Sequence, residues 1–159
     1  MTSMDPQQLK FETKLDASPV EVFEWHRAPD ALSKLNPPSD QVQIVSAVPL
    51  EEGNVVELRI KLFINLIQIP WVSKLENVVW GSEFADRQVR GPFKYWYHRH
   101  IFEDAGYGQC LMRDLIEFVL PGGSLSNALF SPLIKRNLHT VFSHRHGILL
   151  KEFGATLAV

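Results

Sequence analysis

Apolar and polar residues alternate along most of this chain, and a helical period interrupts that alternation after the first strand and again at the end. Leu9, Phe11, Thr13 and Leu15 alternate with polar neighbours, which predicts an opening strand. Ser18-Pro19-Val20-Glu21 then predicts a helix start. Ser18 can cap, Pro19 suits the first helical position, and Glu21 stands where a capping box needs it. That helix carries Val22, Phe23, Trp25 and His26 until Ala28-Pro29-Asp30 interrupts it. Asp30 to Leu35 predicts a second short helix, stopped by Asn36-Pro37-Pro38. Val42, Ile44 and Val48 then mark a strand, followed by a turn at Glu51-Glu52-Gly53-Asn54.

Val56, Leu58, Ile60, Leu62 and Ile64 alternate with Glu57, Arg59 and Lys61, an amphipathic strand. Ile69, Trp71, Ser73 and Leu75 predict the next, and Phe84 to Arg90 follows after Gly81. Gly91-Pro92 separates that strand from one containing His98 and His100. A turn at Asp104-Ala105-Gly106-Tyr107-Gly108 leads into a last strand from Gln109 to Leu120, ended by Pro121-Gly122-Gly123. Connections this short pair consecutive strands antiparallel. From Pro132 to Phe153, Ile134, Leu138, Val141, Phe142, Ile148 and Leu149 recur at helical spacing, with Gly154 as the stop. A helix of about twenty residues is about 30 Å long, enough to lie across a curved sheet and bury its concave face.

The candidate chemistry lies in the stretch Arg90 to Phe102. Trp96, His98, His100 and Phe102 share one face of a strand, because successive side chains point to opposite sides. Antiparallel pairing presents Cys110, Met112, Asp114, Ile116 and Phe118 the same way from the next strand, while Arg113 and Glu117 face outward. Asp114 is thereby a lone carboxylate on an apolar face and needs a hydrogen-bonding partner, with His98 or His100 nearest by topology. The candidate catalytic group is His98, His100 and Asp114, with the carboxylate orienting an imidazole for acid-base work. A pocket-lining role, or a satisfied polar network that fixes strand register, is favoured over catalysis. Phe84, Asp86, Gln88 and Arg90 share another strand face, from which Gln88 and Arg90 can orient a ligand carbonyl or carboxylate. The expected ligand-lining set is therefore Trp96, His98, His100, Phe102, Met112, Asp114, Ile116, Phe84, Gln88, Arg90 and Phe142.

No metal is expected. His98 and His100 supply two ligands, but nothing in the sequence fixes a third, for which His26 and Asp114 both compete. His139, His144 and His146 fall on the terminal helix, where solvated or capping roles are the default. His144 and His146, two apart, do not share a helical face. Trp25 and Trp71 read as core.

Composition narrows the classes. The 159 residues are expected to form one domain, 1–159, with residues 1–6 and 154–159 as loose termini. A formal charge of -2 offers no basic footprint for nucleic acid. The single cysteine, Cys110, excludes an internal disulfide and fits a reducing compartment. The first residues lack the basic and apolar regions of a signal peptide, and Arg59, Lys61, Asn65, Gln68 and Pro70 interrupt the apolar run from Leu58 to Trp71. A soluble, cytoplasmic protein without an integral membrane segment is expected. No Ser-His-Asp motif, phosphate loop or dinucleotide fingerprint is present, and no cofactor is expected.

Strand, two short helices, six further strands and one long helix is the order of the α+β helix-grip fold. The segment from Val22 to Leu32 with Leu35-Asn36-Pro37-Pro38, together with Gly91-Pro92-Phe93, Trp96, His98, His100, Phe102, Asp114 and Leu120-Pro121, resembles the bacterial START-like proteins. These form the SRPBCC or birch-pollen-allergen-like superfamily, with its polyketide cyclase/dehydrase and lipid-transport group. The resemblance is to a subgroup with Gly-Pro-Phe and Trp-x-His-x-His elements and mostly without an assigned function. It implies a curved antiparallel sheet of about seven strands around the terminal helix and a cavity between them for a small hydrophobic ligand, such as a lipid, an aromatic metabolite or a polyketide-like compound. Where that subgroup often has a threonine and a tyrosine in the last strand, this chain has Cys110 and Phe118, so no hydroxyl-dependent role is expected there. The alternative it implies is a cyclase or dehydratase working with His and Asp in the same cavity.

Overall fold

The computed structural model describes residues 5–36, 42–46, 48–62 and 67–154. The elements run β1 (Gln7–Leu15), α1 (Pro19–Arg27), α2 (Ala31–Leu35), β2 (Val42–Ser46), β3 (Val55–Leu62), β4 (Ile67–Val79), β5 (Glu83–Arg90), β6 (Tyr95–Asp104), β7 (Cys110–Val119) and α3 (Gly123–Phe153). The strands form one antiparallel sheet in the order β1-β7-β6-β5-β4-β3-β2. This is the predicted order of elements: each strand from β2 to β6 pairs with its successor, and β1 closes onto β7 at the far edge. Register shifts between Val72 and Ser73 and between Glu76 and Val79 mark β-bulges, which bend a strand and increase its twist. Val48 lies beyond the end of β2, and the expectation for Ile64 falls outside the described residues.

The start of α1 is built as its sequence predicts. Ser18 holds extended backbone angles, its hydroxyl accepts from the Glu21 amide, and the Glu21 carboxylate accepts from the Ser18 amide at 2.8 Å. Pro19 opens the helix, and the Ala28 amide closes it by donating to the Trp25 carbonyl. The terminal helix departs from expectation. It begins at Gly123 rather than Pro132 and runs 31 residues, about 46 Å. Pro132 lies inside it, where a proline removes one backbone hydrogen bond and commonly kinks a helix. The segment before it is amphipathic at a different angle, with Asn127 and Ser131 buried while Leu125, Leu129, Phe130 and Leu133 are exposed. No helix among the described residues is long and apolar enough to cross a membrane.

Helices α1 and α3 cover one face of the sheet, and burial along β6 and β7 alternates strictly on that face. The apolar interior has two parts. One joins Leu15, Val22, Phe23, Phe84, Phe102, Met112 and Leu149; the other joins Trp96, Ile116, Phe118, Leu120 and Phe142. The histidines of β6 lie between them. The cap at α1 is measurable on its own: Ser18→Ala should cost about 1 kcal/mol in urea denaturation, and an unchanged midpoint would show that the α1 start does not depend on it.

Candidate functional site

Strand pairing alone assembles the site. On β6, His98 and His100 point into the interior; Asp86 on β5 is paired directly with His98, and Asp114 on β7 directly with His100. Side chains on paired residues stand within reach of each other. His98 Nε2 lies 2.9 Å from Asp114 Oδ1 and His98 Nδ1 lies 2.9 Å from Asp86 Oδ2, so one imidazole bridges two carboxylates. The other Asp114 oxygen, Oδ2, lies 2.7 Å from His146 Nε2 on α3, and His146 Nδ1 meets Thr13 Oγ1 of β1 at 2.5 Å. A chain of polar contacts therefore runs Asp86–His98–Asp114–His146–Thr13 across the interior, tying β5, β6, β7, α3 and β1 together.

Asp86 carries a second layer of bonds. Its Oδ1 accepts from Trp96 Nε1 at 3.2 Å and from Ser73 Oγ at 3.3 Å, and that Ser73 oxygen accepts from Trp71 Nε1 at 2.8 Å. The Trp71, Phe93 and Trp96 rings pack edge to face or tilted at 5.0–5.6 Å beside it. The Asp86 side chain is 20% exposed, against 2% for His98 and 3% for Asp114. Asp86 is thus the outer end of the network.

His100 fits this network differently. Its ring stacks on Phe84 at 4.1 Å and stands 3.9 Å from the His98 ring. Its Nδ1 is 2.9 Å from Asp114 Oδ1 but makes no aligned hydrogen bond, and its Nε2 is 3.8 Å from Asp86 Oδ2. His26 of α1 is also buried. Its Nδ1 meets the Val22 carbonyl at 2.7 Å, while its Nε2 has no partner among the described residues.

Burial alone would push both carboxyls up. For Asp86 the contacts with His100 and His98 outweigh it; for Asp114 those with His100, His146 and His98 do, and both are held well below the usual carboxylate range. Burial would likewise drive the proton off His98, but Asp114 and Asp86 win and raise it to about 9, so it is an imidazolium at neutral pH. Burial dominates at His26 and lowers it to about 4, leaving it neutral. Arg145 contributes a further, half-buried cation: desolvation pulls it below its usual range against the attraction of Asp114 and Asp86. Its Nη2 donates to Asn36 at 3.2 Å, and its guanidinium lies over the Phe142 ring. Cys110 is pushed up to about 12, chiefly by burial, and is no nucleophile.

Of the residues singled out from sequence, Trp96, His98, His100, Phe102, Met112, Asp114, Ile116, Phe84 and Phe142 are all buried. Phe102, Met112 and Phe84 pack in one half of the core and Trp96, Ile116 and Phe142 in the other. Gln88 spends both amide atoms on the Phe93 backbone, clamping the Gly91-Pro92 turn so closely that a Cβ on Gly91 would collide with it. Arg90 is exposed at the end of β5. Asp114 is not alone on its face, because Asp86 reaches the same interior from β5. His146 is not solvated: with Phe142 and Leu149 it forms the inward stripe of α3, a spacing that was there to be read. Trp25 and Trp71 are half-buried. Two open surface hollows lie away from the histidines. One of about 380 Å³ is lined by Gln7, Ser124, Asn127 and Ser131 among others, and one of about 230 Å³ by Phe23, Leu50, Val78 and Trp80 among others.

Two consequences are measurable on the chain with a chelator present. The stability that His98 supplies is complete below its unfolded value near pH 6.5 and is lost as pH rises through about 9. His26 has the opposite effect, since protonation below about pH 6.5 favours unfolding down to its folded value of about 4. Thermal denaturation should therefore be hardest between about pH 6 and 7; a melting temperature that rises steadily from pH 6.5 to 9 would contradict the assignment. Asp114→Asn strands three imidazoles and should cost about 3–5 kcal/mol at pH 7, read by urea denaturation. A loss under 1 kcal/mol would mean that Asp114 does not hold the network together.

No family model matches the chain, and no curated protein matches it. Solved structures do. A norcoclaurine synthase point mutant from Thalictrum flavum, in complex with a transition-state analogue, is 13% identical with a TM-score of 0.70, covering 96% of this chain and 99% of that one. The Zhui aromatase/cyclase from a Streptomyces species is 12% identical with a TM-score of 0.69, over 92% of this chain and 93% of that one. A nucleoside-diphosphate sugar epimerase from Corynebacterium glutamicum is 22% identical with a TM-score of 0.63, over 90% of this chain but 28% of that one. With its seven-stranded antiparallel sheet and long terminal helix, this chain has the helix-grip fold shared by these solved structures.

Proposed function

We propose that this protein binds a small hydrophobic molecule that carries a hydrogen-bond donor, seated along the seam between α3 and the sheet with its polar group on Asp86. The observation that carries the reading is the asymmetry of the network. Asp114 and His98 are sealed in the interior, whereas Asp86 keeps a 20% exposed carboxylate beside the half-buried rings of Trp71 and Phe93. A fixed carboxylate at an aromatic rim accepts a hydroxyl, phenol or amine and offers flat apolar surface to the rest of the ligand. The fold supports this class of binding in general, and two similar structures come from enzymes named for small-molecule chemistry.

A second reading, a cyclase or dehydratase using the same groups, is favoured by one detail. His98 is clamped as a cation and is a poor base, but His26 is neutral, its Nε2 has no hydrogen-bond partner among the described residues, and its ring lies 5.9 Å from that of His100. In that reading His26 removes a proton and the chain behind His98 steadies the charge that develops.

Native mass spectrometry of the protein purified from its own host should reveal a bound organic mass, and displacement of an anilinonaphthalene dye should report apolar ligands in titration. Asp86→Asn should weaken ligands carrying a donor group about tenfold, equivalent to one charge-assisted hydrogen bond, and leave donor-free analogues unchanged. Wild-type protein that carries no organic mass and binds neither dye nor hydroxylated aromatics would overturn the proposal. If a substrate is found, His26→Gln should lower turnover more than affinity; equal loss of both would remove the second reading.

A further inference from the structure

We propose that Asp86, His98 and His100 form a binding site for one divalent transition-metal ion, with Asp114 as the supporting carboxylate that orients His98. One donor atom from each of the three residues lies within 4.8 Å of the others. The two separations from Asp86 Oδ2 are 2.9 Å to His98 Nδ1 and 3.8 Å to His100 Nε2. Donors bound at about 2.0–2.2 Å around a tetrahedral or octahedral ion stand roughly 3.0–3.5 Å apart, and the two separations from Asp86 lie within about half an ångström of that range.

The far side of each imidazole makes the stronger case. His98 Nε2 and His100 Nδ1 both lie 2.9 Å from the same oxygen, Asp114 Oδ1. His98, with Nδ1 toward Asp86 and Nε2 hydrogen-bonded to Asp114, has the carboxylate–histidine–metal arrangement by which proteins fix the tautomer and direction of a ligating imidazole, while His100 Nδ1 faces the same oxygen without an aligned hydrogen bond. His146 and Thr13 fix Asp114 in turn. His100 is buried, and its Nε2 stands 3.8 Å from Asp86 Oδ2, too far for a direct hydrogen bond and close to the spacing of two donors on one ion. Two histidines and one carboxylate match borderline ions such as zinc, cobalt or ferrous iron rather than calcium or magnesium. Three protein donors leave a position open for water or for a ligand's oxygen, and the exposed edge of Asp86 supplies the route in.

The test uses the full chain, freed of metal by chelation and dialysis, and titrated with Co2+ followed by visible absorption. One Co2+ per chain with d–d bands of a nitrogen–oxygen site is expected, displaced by an equivalent of Zn2+. Asp86→Ala and, independently, His100→Gln should abolish stoichiometric uptake, and Asp114→Asn should weaken it about 10–100-fold. His139→Gln, on the exposed face of α3, should leave it unchanged. No Co2+ uptake by the wild-type chain would overturn the proposal whether or not the variants fold. So would uptake that survives Asp86→Ala and disappears with His139→Gln. The dye and native mass measurements above are made with chelator present, so hydrophobic binding and the metal site can fail separately.

Discussion

A single carboxylate holds this interior together. Asp114 sits at the centre of the sheet's covered face with three imidazoles around it, one from the neighbouring residue position across the ladder, one from two positions along and one from the terminal helix. An ionised carboxylate in an apolar core is tolerated only if paired and hydrogen-bonded, and its removal leaves the partners stranded. That constraint fixes more than charge. Asp114 joins α3 to β7 through His146 and joins β6 to β7 through His98, so the angle of the helix on the sheet and the register of the central strands satisfy the same group.

The two halves of the apolar core follow from that polar seam. Phe84, Phe102 and Phe23 meet edge to face or stacked on one side, and Trp96, Phe118 and Phe142 gather on the other. The histidines take part in both, His100 stacked on Phe84 and His98 edge-on to Phe142. Aromatic rings suit this position because their edges and faces accommodate a charged neighbour better than aliphatic groups do. The outer end at Asp86 is where this seam reaches the surface, which is why binding chemistry is placed there and not at Asp114.

Much of the architecture was legible because local signals and alternation agreed. The capping box at Ser18 and Glu21, the parity of β6 and β7, and the pairing of Asp114 with the histidines all follow from residue spacing. The start of α3 was hidden by Pro132, which suits a first helical turn and here lies inside a helix, after a segment that buries Asn127 and Ser131 and exposes Leu125 and Leu129. Asp86 was visible on its strand, but parity alone does not say whether a polar face meets water or the core; curvature and the cover of α1 and α3 decide that. His146 shares its helical face with Phe142 and Leu149, four residues before and three after it, and not with His144, so it turns inward.

The central claim is that His98 is a buried imidazolium clamped between Asp86 and Asp114. Nitrogen-detected NMR of the histidine side chains, recorded on the metal-free chain from pH 5 to 10, tests it most directly. The account predicts that both His98 ring nitrogens carry protons at neutral pH and that the ring titrates near 9, while His26 stays a neutral imidazole down to about pH 5. A His98 ring that is already neutral at pH 7 would contradict it.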